Sequence, residues 1–405
     1  MQQLCVLLCL ALLCQQVPAF RWHLFPEKES EEPLETTPSP QARDFAFDLY
    51  RVLVETESGK NIFFSPLSIS VSLGALSLGA SSNTKREILE ALGAGGQEGW
   101  EEQLHTNFQK LLQDLLQPRD NLQLNLGNGL FLDSRVPVLG PFLSALRTHY
   151  LVDTFPANFS DLEAAKRQIN TYVEKETGGQ ITELVKDLQP LTAMVLVNYI
   201  LFKAKWETRF NPQDTTQRDF HVTPETVVQV PMMQLENQFD YFLDRSLGCK
   251  VVRVPYKGGA HALLVLPNQG GLEHVESRLT RRTLQKWQKM FRKRPINLSL
   301  PKFSIDGSYE LHNILPKLGV KEVFTSQANL SSITGRSNIF LSEMVHKAVG
   351  EVDESGTKAA AVTGMMFMFK SARMSSFQVE FNRPFIMAIV YNSTEILFLG
   401  RVYKP

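Results

Sequence analysis

The sequence is short of cysteine, of net charge and of apolar runs long enough to cross a membrane. Three of its four cysteines lie within the first 14 residues, so a chain that loses its start keeps only Cys249 and cannot form an internal disulfide. The 42 basic side chains equal the 42 acidic ones, which removes any global attraction to nucleic acid or to a membrane surface. Binding driven by charge must therefore be local.

The motifs of common enzymes are missing as well. The sequence has no Gly-x-Ser-x-Gly elbow, no His-Glu-x-x-His zinc motif and no phosphate-binding loop with its lysine. Gly127-Asn-Gly129 is too short to indicate a nucleotide site, and nothing around Cys249 is typical of a catalytic cysteine, so we expect that thiol to be buried. We predict no catalytic residue, no metal and no cofactor.

An apolar segment stands at the start of the chain. The run from Leu4 to Leu13 precedes Val17 and Ala19, small residues at the two positions that signal peptidase reads. The run is shorter than the roughly 20 residues that a membrane-spanning helix needs. We expect a signal peptide over residues 1–19 and a secreted, extracellular protein without a membrane span.

The rest of the chain divides into a tail and one domain. Residues 20–43 are acidic and rich in proline, with too few apolar side chains to pack, so we expect a disordered tail. Residues 44–405 contain no further linker and no repeat of 20 to 50 residues, which predicts a single domain. We expect it to be monomeric.

Hydrophobic periodicity predicts an α+β domain. It indicates helices from Phe45 to Leu53 and over residues 160–176, whereas the short apolar run from Met194 to Phe202 predicts a buried strand. Turn residues at positions 257–259 and 392–394 predict two hairpins. Strands dominate the second half, so a large sheet with accompanying helices is expected.

Four Asn-x-Ser/Thr sequons occur, and a secreted chain would expose them to glycosylation. Asn158 lies in a polar stretch after a proline and Asn392 lies in a hairpin turn, so these two are the best candidates. Asn297 begins an apolar strand, where a glycan would crowd its neighbours. Asn329 completes the set.

One segment is strongly basic. Between Glu276 and Asp306 there is no acidic residue, and eight basic residues crowd a predicted helix that begins after Thr280 and ends before Pro295: Arg278, Arg281, Arg282, Lys286, Lys289, Arg292, Lys293 and Arg294. On such a helix one face presents Arg282, Lys286, Lys289 and Lys293, and the other presents Leu284, Trp287 and Phe291. Neighbouring like charges destabilise a helix, so a polyanion is the expected partner. In a secreted protein that partner is heparin or a related glycosaminoglycan; the alternative is a merely solvated basic face.

Four segments together resemble one known family. Residues 61–70 (NIFFSPLSIS), 197–206 (VNYILFKAKW), 346–361 (HKAVGEVDESGTKAAA) and 381–385 (FNRPF) are similar to serpin motifs, in the right order. The resemblance covers residues 44–405. It implies the serpin fold, with three β-sheets, about eight to nine helices and an exposed reactive-centre loop over about 354–376.

Small residues cluster within that loop without a helical cap or an amphipathic pattern. The resemblance assigns the hinge of the loop to Glu354, Gly356, Thr357, Ala359, Ala360 and Ala361. A serpin loop inserts into a sheet after cleavage, and alternation would then turn Thr357, Ala359, Ala361 and Thr363 inward and Lys358 outward. A flexible surface linker is the alternative, although Gly and Ser would serve a linker better than an Ala run.

Counting from Glu354 to the usual loop length places the reactive bond between Lys370 and Ser371. A lysine there fits the acidic primary pocket of trypsin-like proteases. Arg373 is an alternative cleavage position, and Phe369 would suit a chymotrypsin-like enzyme. The resemblance thus implies a protease inhibitor that forms a covalent complex with trypsin-like serine proteases.

The resemblance also assigns residues that control the opening of the sheet. These are a central polar group and an upper group, matched here by Ser65, Ser68, Asn198 and His346 and by Trp206, Lys302 and Glu354. Without the family match, each has an ordinary structural explanation, for example a surface ion pair of little energy between Lys302 and Glu354.

A serpin need not be an inhibitor. The strongest rival is a non-inhibitory serpin that carries a hormone, a retinoid or another small apolar ligand, since a fold does not dictate a function. Such relatives often place charged or bulky residues where the loop must insert, whereas Thr357 and the alanines at 359–361 leave insertion open.

Overall fold

Most of the longer helices of the computed structural model are amphipathic, whereas the helix Pro66–Gly79 is buried on nearly every side. The model describes residues 44–95, 99–117, 119, 121–189, 191–336, 339–357 and 376–405. Within these ranges there are ten α-helices, three of them with five residues or fewer: α1 Phe45–Thr56, α2 Pro66–Gly79, α3 Ser82–Ala91, α4 Trp100–Leu115, α5 Gly140–His149, α6 Leu162–Glu176, α7 Leu272–Glu276, α8 Arg281–Met290, α9 Leu311–Ile314 and α10 Ser331–Thr334. The predicted helices at Phe45 and at 160–176 are confirmed as α1 and α6.

The strands follow the predicted alternation and apolar runs. In chain order they are β1 Ile62–Phe64, β2 Leu122–Asp133, β3 Asp153–Ala157, β4 Met194–Lys205, β5 Thr216–His221, β6 Val227–Asp244, β7 Cys249–Pro255, β8 Ala260–Pro267, β9 Arg292–Pro301, β10 Phe303–Glu310, β11 Glu343–Val352, β12 Gly356–Thr357, β13 Phe377–Glu380, β14 Phe385–Tyr391 and β15 Glu395–Val402. Both predicted hairpins are confirmed, β7 with β8 and β14 with β15. The buried strand predicted at Met194 is β4.

The strands form two hydrogen-bonded sheets. The first has six strands in the order β10-β11-β12-β4-β2-β3. The second has nine, in the order β1-β15-β14-β8-β7-β6-β9-β13, with β5 also paired to β6. Two of the three predicted sheets are continuous here, because the 18-residue β6 pairs with β5 and β9 along most of its length and with β7 at its end.

The apolar core is divided by the six-stranded sheet. The larger cluster fills the space between that sheet, the nine-stranded sheet and α1 to α3. A smaller cluster lies where Ile169 and Val173 of α6 pack with Val195 and Val197 of β4 and Val345 of β11. Helix α6 and the segment that follows it therefore lie on the opposite face of this sheet from the larger cluster. Among the described residues, no helix is long and apolar enough to cross a membrane.

Candidate functional site

The short strand β12 lies between β4 and β11 at one end of their boundary. The two longer strands run parallel and pair directly from Glu343 with Val195 to Val349 with Leu201. Beyond that point β12 separates them, with Thr357 opposite Ala204 on β4 and opposite Val352 on β11. The predicted hinge residues Gly356 and Thr357 thus form the first rung of a strand between β4 and β11.

The space around β12 admits only small residues. Gly356 has φ +149°, and a Cβ atom there would lie 2.0 Å from the carbonyl oxygen of Ala204. Thr357 is 1% exposed, and its hydroxyl lies 2.9 Å from that of Tyr256. The Tyr256 ring stacks on Trp206 with centroids 4.2 Å apart. Sequence reasoning missed Tyr256, since an aromatic residue before a turn is not a functional signal.

The upper group predicted from the family is assembled around the turn before β12. Trp206 donates its indole N–H to the carbonyl oxygen of Asp353 over 2.9 Å. Glu354 accepts from Lys302 Nζ at 3.0 Å and from the Thr215 hydroxyl at 2.9 Å. Burial raises the pKa of Glu354, but these hydrogen bonds outweigh it and leave that pKa below its ordinary value. The first two residues of the turn, Asp353 and Glu354, are therefore held by side chains from three other segments of the chain.

The central polar group is also brought together, under the middle of the β4–β11 boundary. Ser65, Ser68, Asn198 and His346 are all fully buried. Asn198 donates to the Ser68 hydroxyl at 2.6 Å, and the Ser65 backbone N–H donates to His346 Nε2 at 3.1 Å. Since Nε2 accepts, Nδ1 carries the proton and faces Asn198 Oδ1. Burial lowers the pKa of His346 to about 3, so the imidazole is neutral.

Two further residues belong to this polar group. Asn128 Oδ1 accepts from Asn198 at 2.7 Å and also from the Ser72 hydroxyl. The flanking glycine at 127 leaves room for the Tyr199 ring, because a Cβ there would lie 2.1 Å from the Tyr199 hydroxyl. The Gly127-Asn-Gly129 segment, which carries no nucleotide signal, thus supplies a buried amide to the sheet.

Several predicted positions lie outside the described residues. These are the signal peptide and tail over residues 1–43, the hinge alanines at 359, 360 and 361, and the Lys370–Ser371 bond with its alternatives. The described chain stops at Thr357 at the end of β12 and resumes before Phe377 at the start of β13.

The basic segment forms a shorter helix than predicted. Helix α8 begins as expected after Thr280, whose hydroxyl caps the Thr283 N–H at 3.2 Å, and it buries Leu284 and Trp287. It ends at Met290, because Phe291 adopts an extended backbone and the chain continues as β9 between β6 and β13. The prediction of a helix up to Pro295 is therefore wrong for the last three basic residues, Arg292, Lys293 and Arg294.

The predicted basic stripe is also shorter. Lys293 belongs to β9, and Lys286 forms an ion pair with Asp244 at 3.0 Å. Asp244 is buried and also accepts from the Trp287 indole at 2.8 Å. Burial raises the pKa of Asp244, but the hydrogen bonds outweigh it and lower the pKa to about 2. All eight predicted basic residues are exposed: Arg278, Arg281, Arg282, Lys286 and Lys289 around α8, and Arg292, Lys293 and Arg294 on β9.

The four sequons differ in exposure. Asn158 and Asn392 are exposed, the first after β3 and the second in the β14–β15 turn. Asn297 lies within β9, paired on both sides, and Asn329 is half-buried with its amide near the Ser82 hydroxyl. Cys249 is fully buried, and burial raises the pKa of its thiol to about 12.

This arrangement, a small-residue strand between two parallel strands above a buried polar group, defines a class. Residues 40–405 match the family model described as Serpin (serine protease inhibitor), so the chain belongs to the serpin family. Serpins inhibit proteases rather than act as enzymes, and on that ground the prediction that this protein is not an enzyme is confirmed.

Within the serpin family, the chain is similar over its whole length to plasma serine protease inhibitors. The chain is 56% identical to the plasma serine protease inhibitor of Bos taurus over 403 residues and 55% identical to that of Homo sapiens over 407, with both proteins covered completely. Among solved structures, human thyroxine-binding globulin has a TM-score of 0.84 at 38% identity, covering 90% of this chain and 97% of its own.

Proposed function

We propose that this protein is a secreted inhibitor that traps trypsin-like serine proteases, of the coagulation, fibrinolytic or kallikrein type, as a suicide substrate. The protease serine attacks the carbonyl carbon of Lys370, its proton passes to the departing amine of Ser371, and an acyl-enzyme forms. The released loop then inserts between β4 and β11 before water can hydrolyse the ester. Insertion carries the attached protease along and distorts its active site.

The observation that carries this proposal is the position of β12. Thr357 already pairs with Ala204 and Val352, so loop insertion extends an existing strand instead of starting a new one. If insertion continued this register for six residues, position 363 would come to lie opposite Asn198 on β4 and His346 on β11. A threonine at that position suits a polar group, and the alternating small residues before it suit the narrow space beside β4.

The experiment is to incubate the protein with trypsin and separate the products on a denaturing gel. We expect a covalent band near the summed masses and a carboxy-terminal peptide that begins at Ser371. A peptide that begins at Met374 would move the reactive bond to Arg373. The matched control, Lys370→Glu, keeps the fold but presents the wrong charge to the trypsin pocket, so it should form no complex.

We infer secondly that a glycosaminoglycan such as heparin modulates inhibition through the basic surface of α8 and β9. The eight exposed basic residues there and the absence of acidic residues between Glu276 and Asp306 support this. Because Lys286 is paired with Asp244, we expect Arg282→Ala or Lys289→Ala to elute from heparin at lower salt, and Lys286→Ala to elute close to the unmodified protein. Equal losses in all three would contradict the ion pair's role.

We also propose how the chain is processed and glycosylated during secretion. We propose removal of residues 1–19, a tail over 20–43, one domain over 44–405, and glycans at Asn158 and Asn392. Mass spectrometry of the secreted protein, before and after glycosidase treatment, tests each of these. Occupied Asn297 would contradict the structural argument, because β9 is paired on both sides there.

A ligand carrier remains the second candidate. The likeness to thyroxine-binding globulin, solved as a complex with thyroxine, favours it. The trypsin experiment separates the two: cleavage without a covalent band and with fully active trypsin would support the carrier and overturn the inhibitor. The narrow space around β12, which the small residues Gly356 and Thr357 fit, favours the inhibitor.

A further inference from the structure

The turn between β14 and β15 lies against helix α8. Gln288 on α8 donates a hydrogen bond from its side-chain nitrogen to the carbonyl oxygen of Ser393 in that turn. Asn392, Ser393 and Thr394 are exposed and form one of the four sequons. A sequon that is a candidate for glycosylation is therefore in direct contact with the helix of the basic surface.

The conformation of this turn leaves room for a glycan. Asn392 has φ +45° and Ser393 has φ +64°, so both adopt the left-handed conformation, which asparagine tolerates better than most residues. The neighbouring residue in the β7–β8 turn is Gly259, and a Cβ atom added there would touch Asn392 Oδ1 at 3.7 Å. The asparagine is thus exposed beside a position that carries no side chain.

Gln288 marks one edge of the exposed face of α8. At about 100° per residue, Arg281 lies about 20° from Gln288 around the helix axis, and the other exposed cations of the helix lie further round. On the far side, Lys286 lies about 160° from Gln288 and pairs with Asp244 at 3.0 Å. The Asn392 turn therefore borders the side of the helix that presents Arg281.

A glycan rooted at this turn would compete with a polyanion for the space over α8. An N-linked glycan is bulky, whereas the ten-residue α8 is only about 15 Å long. A sulfated polysaccharide must bring its charges within about 4 Å of a basic side chain to form an ion pair. Longer contacts are weakened by water and salt, so displacing the polyanion from one edge of the helix removes contacts there.

We propose that glycosylation of Asn392 regulates the basic surface. The glycan restricts the access of heparin and other sulfated polysaccharides to the Arg281 side of α8, so the glycosylated protein binds them more weakly than the unglycosylated one. This inference rests on the polyanion binding proposed above and adds its control by a covalent modification.

The test measures heparin affinity for the full chain secreted by mammalian cells, with the occupancy of Asn392 determined by mass spectrometry. Thr394→Val removes the sequon but keeps Asn392 in the turn. We expect it to bind heparin about 3-fold or more tightly, equivalent to regaining one or two exposed ion pairs. Thr394→Ser keeps the sequon and should bind like the unmodified protein. Ser160→Ala removes the sequon at Asn158, beside the six-stranded sheet, and should leave the affinity unchanged.

A double-mutant cycle locates the effect on the surface. Arg281→Ala should weaken heparin binding more in the Thr394→Val background than in the glycosylated protein, because the glycan already limits that side of the helix. Lys293→Ala is the matched control. Lys293 lies on β9, which three strands separate from β14, so it is about 19 Å away and should lose the same affinity in both backgrounds.

The same chains produced in bacteria, without glycans, separate this inference from the proposed polyanion binding. There, the unmodified chain and Thr394→Val should bind heparin equally. No heparin binding by the unglycosylated chain would overturn the polyanion site and this inference with it. If the unglycosylated chain binds heparin, an unoccupied Asn392 in the secreted protein, or an affinity unchanged by loss of an occupied glycan, would overturn the role of the glycan alone.

Discussion

The two sheets of this protein are built on opposite principles. In the nine-stranded sheet, β8 and β14 bury every residue and pair antiparallel along six positions, with apolar side chains on both faces. In the six-stranded sheet, the parallel β4–β11 boundary lies over buried serine, asparagine and histidine. The comparison distinguishes a boundary between strands that packs apolar side chains from one that also holds a buried polar group.

The hydrophobic effect and hydrogen bonding explain why the two boundaries between strands differ. Separating β8 from β14 would expose apolar surface on two faces, at about 25 cal/mol for each Å². At the boundary between β4 and β11, buried polar side chains lie among the apolar ones, and Asn198 and His346 could bond an arriving threonine after the strands separate. If the loop inserts as proposed, β4 and β11 of the six-stranded sheet can therefore exchange partners at lower cost.

The largest predicted effect is at the end of the β4–β11 boundary, where β12 lies between the two strands. Thr357→Arg would force a charged side chain into a site that is 1% exposed and lined by Tyr256, where no carboxylate faces it among the described contacts. We expect trypsin to cleave this variant without forming the covalent complex. Gel analysis with trypsin measures it.

The control is Thr226→Arg, in an exposed turn, which should form the complex normally. A complex that persists in Thr357→Arg would show that insertion does not pass through the β12 position, and the contrast between the two sheets would lose its functional meaning.

The next largest predicted effect comes from a cavity in the nine-stranded sheet. Leu264→Ala on β8 removes a fully buried side chain and should lower the free energy of unfolding by about 2–5 kcal/mol, because the antiparallel neighbours cannot close around the gap. Urea unfolding followed by circular dichroism measures the change. Leu243→Ala, at an exposed leucine, should stay within about 0.5 kcal/mol.

Lowering the pH should destabilise the protein through His346 on the six-stranded sheet. The unfolded imidazole of His346 takes up a proton below its ordinary pKa of 6.5, whereas burial keeps the folded one neutral down to about 3. Between these values the unfolded state binds more protons, so stability falls as pH falls, by up to about 1.4 kcal/mol per pH unit from this group. His346→Gln should reduce the slope in that window.

The comparison variant for acid is His221→Gln, on the exposed face of β5, which should keep the slope. Unfolding midpoints at a series of pH values provide the measurement. An unchanged slope in His346→Gln would place the acid response elsewhere, for example at His261, whose pKa burial lowers to about 4.

Local patterns predicted most of the fold. The hairpins, β4, α1 and α6 follow from periodicity and turn residues, which act over a few positions. The residues of the central polar group were predicted only through the family resemblance, because Ser68, Asn198 and His346 meet across long separations in the chain. Nothing in their local sequence distinguishes them from ordinary core polar residues.

The errors have the same physical origin. Arg292 to Arg294 continue the basic helical pattern, but pairing of β9 with β6, about 50 residues earlier, takes those residues into a strand. Lys286 appears free in the sequence, yet its partner Asp244 lies 42 positions away. No local pattern predicts the role of Asn128, because that role depends on hydrogen bonds with Ser72 and Asn198, which only the assembled sheet brings together.

The smallest predicted effect distinguishes the surface of the hinge from its interior. Lys302→Ala removes the ion pair with Glu354, but the Lys302 side chain is 43% exposed, so water screens the pair and unfolding should change by about 0–1 kcal/mol. Lys317→Ala, at an exposed lysine, is the control. Covalent complex formation should persist in both, since Trp206, Tyr256 and Thr357 still hold β12. A loss above about 2 kcal/mol would mean that the ion pair, rather than the buried contacts, fastens the hinge to the sheet.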